Sequence, residues 1–242
     1  MKTKVLLLVG SPKGKKSTSH ALGRFLLHKL ETGGLAVEEV TIGAAMRSIE
    51  DRRLLLEAVD KAGIFIVSFP LYVDQLPAPL IEAFELIAAR RTESGANTPA
   101  DPASSGARPA KIVAIVQCGF PESHQNQQAV DIMRRFAAEA GFHWGGALSM
   151  GMGGAVAGRP LEDAGGMVRK AVEALELTAA SLLRGEDVPR RATAVMAKAL
   201  IPKWLYIFFG DRGMKKAAKK RGVHKRMRDR PYDPAQTAAS TR

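Results

Sequence analysis

The sequence predicts an α/β fold in which one parallel sheet is covered by helices on both faces. Short, continuous apolar runs alternate with segments of helical apolar spacing, as expected when each strand is buried on both faces. The chain has 242 residues, of which 46% are apolar, enough for one such domain and an extension. Its single cysteine, Cys118, excludes a disulfide framework and fits a reducing compartment.

Five apolar runs are predicted as strands. The first (KVLLLV) is apolar almost throughout, and the third (IFIVSF) is rich in β-branched and aromatic residues, which favour strands. The second and fourth (LAVEEVTI and KIVAIVQ) are similar short runs, and the fifth gives a weaker signal. In chain order the strands are Lys4–Val9, Leu35–Ile42, Ile64–Phe69, Lys111–Gln117 and His143–Met150.

Each predicted strand is followed by a segment with helical apolar spacing. In the first, apolar residues stand at positions 22, 25, 26, 27 and 30, which places them on one helix face. Strands joined through helices run parallel with right-handed crossovers. Five such units predict a flavodoxin-like, doubly wound five-stranded parallel sheet of strand order 2-1-3-4-5. The helical segments are Ser17–Leu30, Ile49–Ala62, Pro79–Ala89, Gln127–Ala140 and Val168–Leu183.

The net charge of +12 is concentrated in the C-terminal part of the chain. Residues 1–187 contain 21 Lys and Arg and 21 Asp and Glu, whereas residues 188–242 contain 15 and 3. We therefore expect residues 1–187 to form the α/β domain and residues 188–242 to form a basic, aromatic-containing helical extension. Thr92–Pro109 lacks an apolar pattern and is predicted to be a flexible insertion.

The loop after the first strand, within VGSPKGKKSTSHALG, resembles a phosphate-binding loop. Ligands of such sheets bind beyond the carboxyl ends of the strands. Hydroxyls can donate to phosphate oxygens, and the free N–H groups and dipole of the following helix favour the same anion. One hydroxyl could merely cap this helix, but four hydroxyls and three lysines exceed that need. The candidate ligands are Ser11, Lys13, Ser17, Thr18 and Ser19.

Two common nucleotide-binding patterns do not fit this loop. In a triphosphate-binding P-loop starting at Gly10, a second glycine would stand at position 15, where this chain has Lys15. The third and fourth strands also end without the acid that holds magnesium in those proteins. A dinucleotide fingerprint would follow the first strand, whereas the glycines of GMGG, at 151–154, follow the fifth.

The loop after the third strand contains three prolines and is predicted to be stiff. Pro70 opens this loop, and the N–H groups of Leu71, Tyr72 and Val73 could face the edge of a flat heteroaromatic ring. The phenol ring of Tyr72 could stack on such a ligand. The alternative is an ordinary strand-to-helix turn in which Asp74 caps the helix.

The loop after the fourth strand supplies three further candidates. Gly119 permits close backbone approach, and Phe120 could pack against a ring edge. Cys118 could be a redox nucleophile, but a lone cysteine at a strand end is more often a small buried residue.

Three motifs, GSPKGKKSTS, PLYVDQLPAPL and QCGFPE, stand at the ends of strands 1, 3 and 4. Together they resemble the NADPH-dependent FMN reductase family of flavodoxin-like proteins, over about residues 3–185. The resemblance implies FMN at the carboxyl edge of the sheet, with NADH or NADPH as co-substrate. It also implies that the candidates in all three loops contact FMN, with the serines and threonine of the first loop on its single phosphate. Lys13 stands where the family often has arginine.

The resemblance implies an oxidoreductase that takes a hydride from NAD(P)H through FMN, and the cysteine usage predicts that it is cytoplasmic. Its electrons would pass to a small-molecule acceptor such as a quinone or a free flavin. We assign no catalytic residue, because the flavin carries the chemistry and the protein positions it. Flavodoxin-like reductases commonly form dimers, so a homodimer is expected. The alternative is a non-enzymatic electron carrier of the flavodoxin type.

The C-terminal extension combines an aromatic run, Ala199–Gly210, with a densely basic run, Met214–Arg230. One interpretation is that residues 199–230 dock on protein, for example a second copy of the chain. A second is that they attach the protein to an anionic membrane surface, at the inner membrane face. Specific nucleic-acid binding is not expected, because basic residues alone supply only non-specific affinity.

Overall fold

The computed structural model describes residues 3–95 and 109–230. All strand pairs in its sheet are parallel, and the strand order is β2-β1-β3-β4-β5. The predicted flavodoxin-like sheet and its order are therefore confirmed. The strands are β1 (Lys4–Val9), β2 (Ala36–Thr41), β3 (Ile64–Pro70), β4 (Lys111–Gln117) and β5 (His143–Met150).

The helices agree with the predicted segments to within a few residues, and two of them, Ile42–Ala45 and Gly153–Val156, lie outside both these segments and the predicted helical extension. The helices are α1 (Thr18–Thr32), α2 (Ile42–Ala45), α3 (Ile49–Asp60), α4 (Ala78–Glu93), α5 (Gln127–Glu139), α6 (Gly153–Val156), α7 (Arg169–Leu183), α8 (Arg190–Met196) and α9 (Lys203–Lys220). Short 3₁₀ turns occupy Gly14–Lys16, Ser123–Asn126, Glu162–Val168 and His224–Arg226.

The central strands β1, β3 and β4 are buried on both faces, which explains their continuous apolar runs. Helices α1 and α7 pack together on one face of the sheet, while α3, α4 and α5 cover the other. On that second face the rings of Phe84 and Phe136 stack with their centroids 4.2 Å apart. Both faces are thus closed, and ligands reach the sheet through the loops at its edges.

The chain divides into two compact units between Leu200 and Ile201. The predicted boundary lay at residue 187, but the first unit continues through α8. Helix α8 buries Val195 and Met196, and the hydroxyl of Thr193 donates to the carbonyl oxygen of Ala147 in β5 (3.1 Å). The basic charge of this stretch therefore does not mark the end of the first unit.

Two further expectations concern segments at the margins of the described residues. Residues 96–108, most of the predicted flexible insertion, lie outside the described part of the chain. The second unit contains α9 and the 3₁₀ turn at His224–Arg226, so the predicted helical extension is present. Among the described residues, no helix is both long enough and apolar enough to cross a membrane.

Candidate functional site

A pocket of about 390 Å³ lies at the carboxyl edge of the sheet, where the loops after β1, β3, β4 and β5 meet. This volume is within the usual range for small-molecule sites, and the position is the one at which flavodoxin-like sheets bind ligands. Nine of the twelve predicted ligand residues line it: Ser11, Lys13, Ser17, Thr18, Pro70, Leu71, Tyr72, Cys118 and Gly119.

A larger cavity of about 610 Å³ lies at the opposite edge of the sheet, around Lys111 and His143. The amino group of Lys111 is already bound there to the carboxylate of Asp187 (2.8 Å) and the carbonyl oxygen of Gly185 (3.0 Å). Because this edge carries the amino ends of the strands, we assign the functional site to the smaller pocket.

Ser17 is the N-cap of α1. Its Oγ accepts a hydrogen bond from the amide of His20 (3.0 Å) and donates to the carbonyl oxygen of Gly14 (2.7 Å). In the same loop, the Oγ of Ser11 accepts from the amide of Lys13 (3.3 Å), which leaves the Ser11 hydroxyl hydrogen able to donate into the pocket. Both serines line the pocket, but Ser17 also has the capping role that the sequence left open.

Thr18 connects two walls of the pocket. Its buried hydroxyl donates to the carbonyl oxygen of Gly153 (3.0 Å) and accepts from the amide of Gly158 (3.3 Å). The hydroxyl therefore joins the start of α1 to the loop after β5. The sequence suggested that the Thr18 hydroxyl donates to a phosphate, whereas in the structure its hydrogen is bound to Gly153.

Three predicted ligand residues do not line the pocket. Ser19 is completely buried, and its Oγ has no hydrogen-bond partner among the described residues. The side chain of Val73 is 95% exposed and that of Phe120 is 51% exposed, so both project from their loops into solvent.

The loop after β3 uses two of the amides that the sequence analysis assigned to a ligand. The amide of Leu71 donates to the carbonyl oxygen of Gln117 (2.8 Å), and the amide of Tyr72 donates to that of Gln75 (2.9 Å). Between them, Val73 and Asp74 adopt left-handed backbone conformations with φ of 50° and 58°. The expectation that a row of amides faces the ligand is therefore wrong for Leu71 and Tyr72, because the turn consumes them.

Cys118 is a buried wall residue of the pocket. Its Sγ points toward the carbonyl oxygens of Phe120 (3.8 Å) and Glu122 (3.6 Å). Burial raises the pKa of the Cys118 thiol above its ordinary value, so the sulfur is a neutral thiol near pH 7. A neutral thiol is a poor nucleophile, which favours a packing role for Cys118.

The loop after β5 forms a wall that sequence reasoning missed. Gly153, Gly154, Ala157 and Gly158 line the pocket. A Cβ at Gly153 would collide with the side chain of Gln117, and one at Gly158 with the backbone carbonyl of Lys16. The signal was present as a glycine cluster, GMGGAVAG, at the carboxyl end of a strand, but it matches no familiar fingerprint.

The pocket is electropositive. Lys13 and Lys16 line it, and no acidic side chain is among its described lining residues. The first turn of α1 begins at the same place, so its unpaired amides and the helix dipole add to the positive field. The site therefore suits an anion together with a ligand body that fits between the loops after β3 and β4.

The fold and this pocket define a flavodoxin-like α/β protein with an anion site at the carboxyl edge of its sheet. The model of the NADPH-dependent FMN reductase family matches residues 3–153, and the chain belongs to that family. It is accordingly a flavin-dependent oxidoreductase, with FMN as cofactor and NAD(P)H as the co-substrate of the family. No curated protein sequence matches the chain.

Several solved structures are similar to this chain. Rubredoxin oxygen:oxidoreductase from the anaerobe Desulfovibrio gigas is 14% identical with a TM-score of 0.50, over 81% of this chain but only 38% of that chain. A flavodoxin from Streptococcus pneumoniae TIGR4 is 15% identical (TM-score 0.49; 76% and 99% of the two chains). An FMN-dependent NADH-azoreductase from Bacillus anthracis str. Ames Ancestor, in complex with FMN, is 12% identical (TM-score 0.49; 75% and 99%).

The residues of the pocket fit FMN. A phosphate needs donors and positive charge, which Lys13, Lys16 and the hydroxyl of Ser11 supply beside the start of α1. A flat ring system needs close walls, which Pro70–Tyr72 and Cys118–Gly119 supply on neighbouring loops. None of the lining residues within the described part of the chain is acidic, so none of them repels the phosphate.

Proposed function

We propose that the protein binds FMN in the carboxyl-edge pocket, takes reducing equivalents from NAD(P)H and delivers them to a small organic acceptor such as a quinone or a free flavin. The observation that carries this proposal is the electropositive pocket at the point where a flavodoxin-like sheet binds its ligand. When bound, FMN supplies the hydride and electron chemistry, and the protein supplies position and electrostatics.

We assign the phosphate to the loop after β1. Lys13 and Lys16 contribute charge, Ser11 contributes a hydroxyl donor, and the first amides of α1 contribute backbone donors. Ser17 shapes the loop by capping α1 and bonding Gly14, and it lines the same pocket. Ser19 is too deeply buried to touch the ligand, and its backbone carbonyl oxygen accepts a hydrogen bond from the hydroxyl of Ser68 (2.7 Å).

We assign the ring system to the loops after β3 and β4. The backbone of Leu71 is held against Gln117 by its amide hydrogen bond, so this wall is fixed before a ligand binds. Tyr72 lines the pocket and is partly exposed, which places its phenol ring at the mouth. A nicotinamide or a flat acceptor could enter at that mouth and stack beside it.

The test is to release the cofactor from purified protein by heat, identify it by chromatography, and then add NADPH anaerobically. We expect FMN, loss of its visible absorbance on NADPH addition, and recovery of absorbance when a quinone is supplied. FAD, or failure to take up any flavin, would contradict the assignment of the pocket. Bound FMN that NADPH does not reduce would favour the electron-carrier alternative.

We also propose that the active form is a homodimer in the cytoplasm. Tyr72, Val73 and Phe120 expose apolar side chains on two neighbouring loops at the mouth of the pocket. A second subunit placed there would cover them and could complete the acceptor site. Light scattering of the full chain tests this proposal, and we expect the wild type to be a dimer. The double variant Val73→Asp, Phe120→Asp should be a monomer with a lower turnover. A wild-type monomer would contradict it.

A further inference from the structure

The second unit separates apolar from charged side chains along one helix. We define the aromatic end as Trp204–Phe209 and the basic groove as the concave surface formed by the following turns of α9 and by His224. We propose that this unit binds an anionic lipid surface, with the aromatic end inserted among the acyl chains and the basic groove on the headgroup phosphates. The proposal is independent of the flavin chemistry proposed above.

The aromatic end is uncharged around its whole circumference. Six consecutive residues carry no charge, and at 3.6 residues per turn they cover every side of the helix. The exposed fraction is 70% for Trp204, 56% for Phe208 and 58% for Phe209. Since a chain rarely keeps several adjacent large apolar side chains in water, this end marks a contact surface.

The basic groove lies directly beyond the aromatic end. It has a volume of about 450 Å³ and includes one acid, Asp211, and the ring of Phe208 at its border. At 100° per residue, the cations of α9 that line it fall within an arc of about 100° on one side of the helix. Its basic residues are Arg212, Lys215, Lys216, Lys219 and His224. Several cations facing one concavity form a surface for phosphate groups.

Charge complementarity selects lipid over a second copy of this chain. Residues 201–230 contain 11 Lys and Arg and 2 Asp and Glu, so their net charge is +9. Residues 1–187 carry equal numbers of acidic and basic residues, so a second copy offers no matching excess of negative charge. A cytoplasmic leaflet rich in anionic lipids does offer it, at about 1 kcal/mol per Lys or Arg near the surface.

The aromatic end also separates lipid from nucleic acid. A nucleic acid would engage the cations through its phosphates. It would leave the aliphatic side chain of Ile207, 46% exposed, without an apolar partner. An acyl-chain region accepts aromatic and aliphatic side chains alike, and tryptophan favours the interface between headgroups and hydrocarbon. An interfacial helix of this kind lies on the membrane and does not cross it.

The experiment is co-sedimentation of the full-length protein with phosphatidylcholine vesicles that do or do not contain phosphatidylglycerol. We expect binding to the anionic vesicles alone and weakening by salt, because exposed charges are screened within about 8–10 Å. Lys216→Glu should weaken vesicle binding about 30-fold, because reversing the charge removes about 1 kcal/mol of attraction and adds about 1 kcal/mol of repulsion. Lys61→Glu, a reversal on an exposed lysine of the first unit, is the matched control and should change binding little.

Insertion of the aromatic end has its own readout. Vesicles with brominated acyl chains should quench the fluorescence of Trp204, and Trp204→Phe should abolish that quenching while binding persists. Phe208→Ser with Phe209→Ser should weaken vesicle binding at least tenfold, whereas Ile49→Ser, at an exposed apolar residue of the first unit, should not. Flavin content and NADPH oxidation, measured on the same samples, show independently whether the proposed function holds.

Three results would overturn the proposal. Equal binding to neutral and anionic vesicles, or no binding to either at low salt, would show that the second unit does not bind an anionic lipid surface. Light scattering could show that the wild type is a dimer and that the double variant at Phe208 and Phe209 is a monomer. If vesicle binding is unchanged in that variant, the aromatic end contacts a second copy of the chain. RNA binding that depends on Lys216, without vesicle binding, would assign the groove to nucleic acid.

Discussion

Replacing Thr18 by valine tests how the pocket is built. Valine keeps the branched shape of threonine but removes the hydroxyl that donates to Gly153 and accepts from Gly158. These contacts join residues that are 135 and 140 positions apart in the chain. The variant should therefore loosen the loop after β5 from the start of α1.

The magnitude follows from the groups left unpaired. A buried polar group that loses its partner costs about 1–3 kcal/mol, which applies in full to the buried carbonyl of Gly153 and only in part to the half-buried amide of Gly158. We expect the free energy of unfolding of FMN-free protein to fall by about 2–4 kcal/mol. Because domains have about 5–15 kcal/mol of stability, the variant should still fold. Its FMN affinity should fall about tenfold, since two walls of the pocket lose their connection.

Urea unfolding and FMN fluorescence titration measure the two quantities separately. Thr18→Ser is the matched control, because it retains the hydroxyl and should restore most of both. If valine leaves the stability of the FMN-free protein unchanged but weakens FMN, then Thr18 is a phosphate ligand, as the sequence suggested, and not a brace. If neither quantity changes, the two hydrogen bonds have no role in forming the pocket.

Three further predictions concern the first unit. Ser17→Glu should weaken FMN binding about 100-fold or more, because it places a carboxylate beside the phosphate. Ser17→Asn keeps a capping side chain and should weaken FMN binding much less. Equal affinities of the two variants in a calorimetric titration would show that the phosphate binds elsewhere. A chain that ends at Leu200 should unfold cooperatively and bind FMN. A chain that ends at Asp187 loses the buried side chains of Val195 and Met196, so its free energy of unfolding in urea should be lower by about 3–6 kcal/mol. Equal stabilities of the two chains would contradict the packing role of α8. Cys118 should react with iodoacetamide near pH 8 at least tenfold more slowly in native than in unfolded protein, because burial raises its pKa; rapid native labelling, followed by mass spectrometry, would contradict this.

The sheet could be predicted because its signal is local. The run KVLLLV is apolar almost throughout since β1 is buried on both faces, and this pattern needs no knowledge of distant residues. The loops after β1, β3 and β4 could also be located, because parallel strands bring their carboxyl ends to one edge. Nine of the twelve predicted ligand residues accordingly lie around one pocket.

What could not be predicted depends on contacts distant in sequence. The amide of Leu71 is consumed by Gln117 because β3 and β4 pair in a particular register, with Pro70 opposite Gln117. The wall formed by Gly153 and Gly158 contacts the hydroxyl of Thr18, which lies 135 and 140 positions away in the chain. Helix α8 is short and carries two arginines at its start, so composition placed it with the basic extension, whereas its packing places it in the first unit.

The hydrogen bonds between loops have a kinetic consequence. The amide of Leu71 is bound to Gln117, that of Gly153 to Cys118 and that of Met152 to Phe120, so the walls around the pocket hold one another without help from a ligand. A ligand that enters such a preformed site has no closure step to wait for. Its observed association rate should then rise linearly with concentration and show no plateau. Substitutions in the walls should act mainly on residence time, so that the rate of cofactor exchange is set by departure and not by arrival.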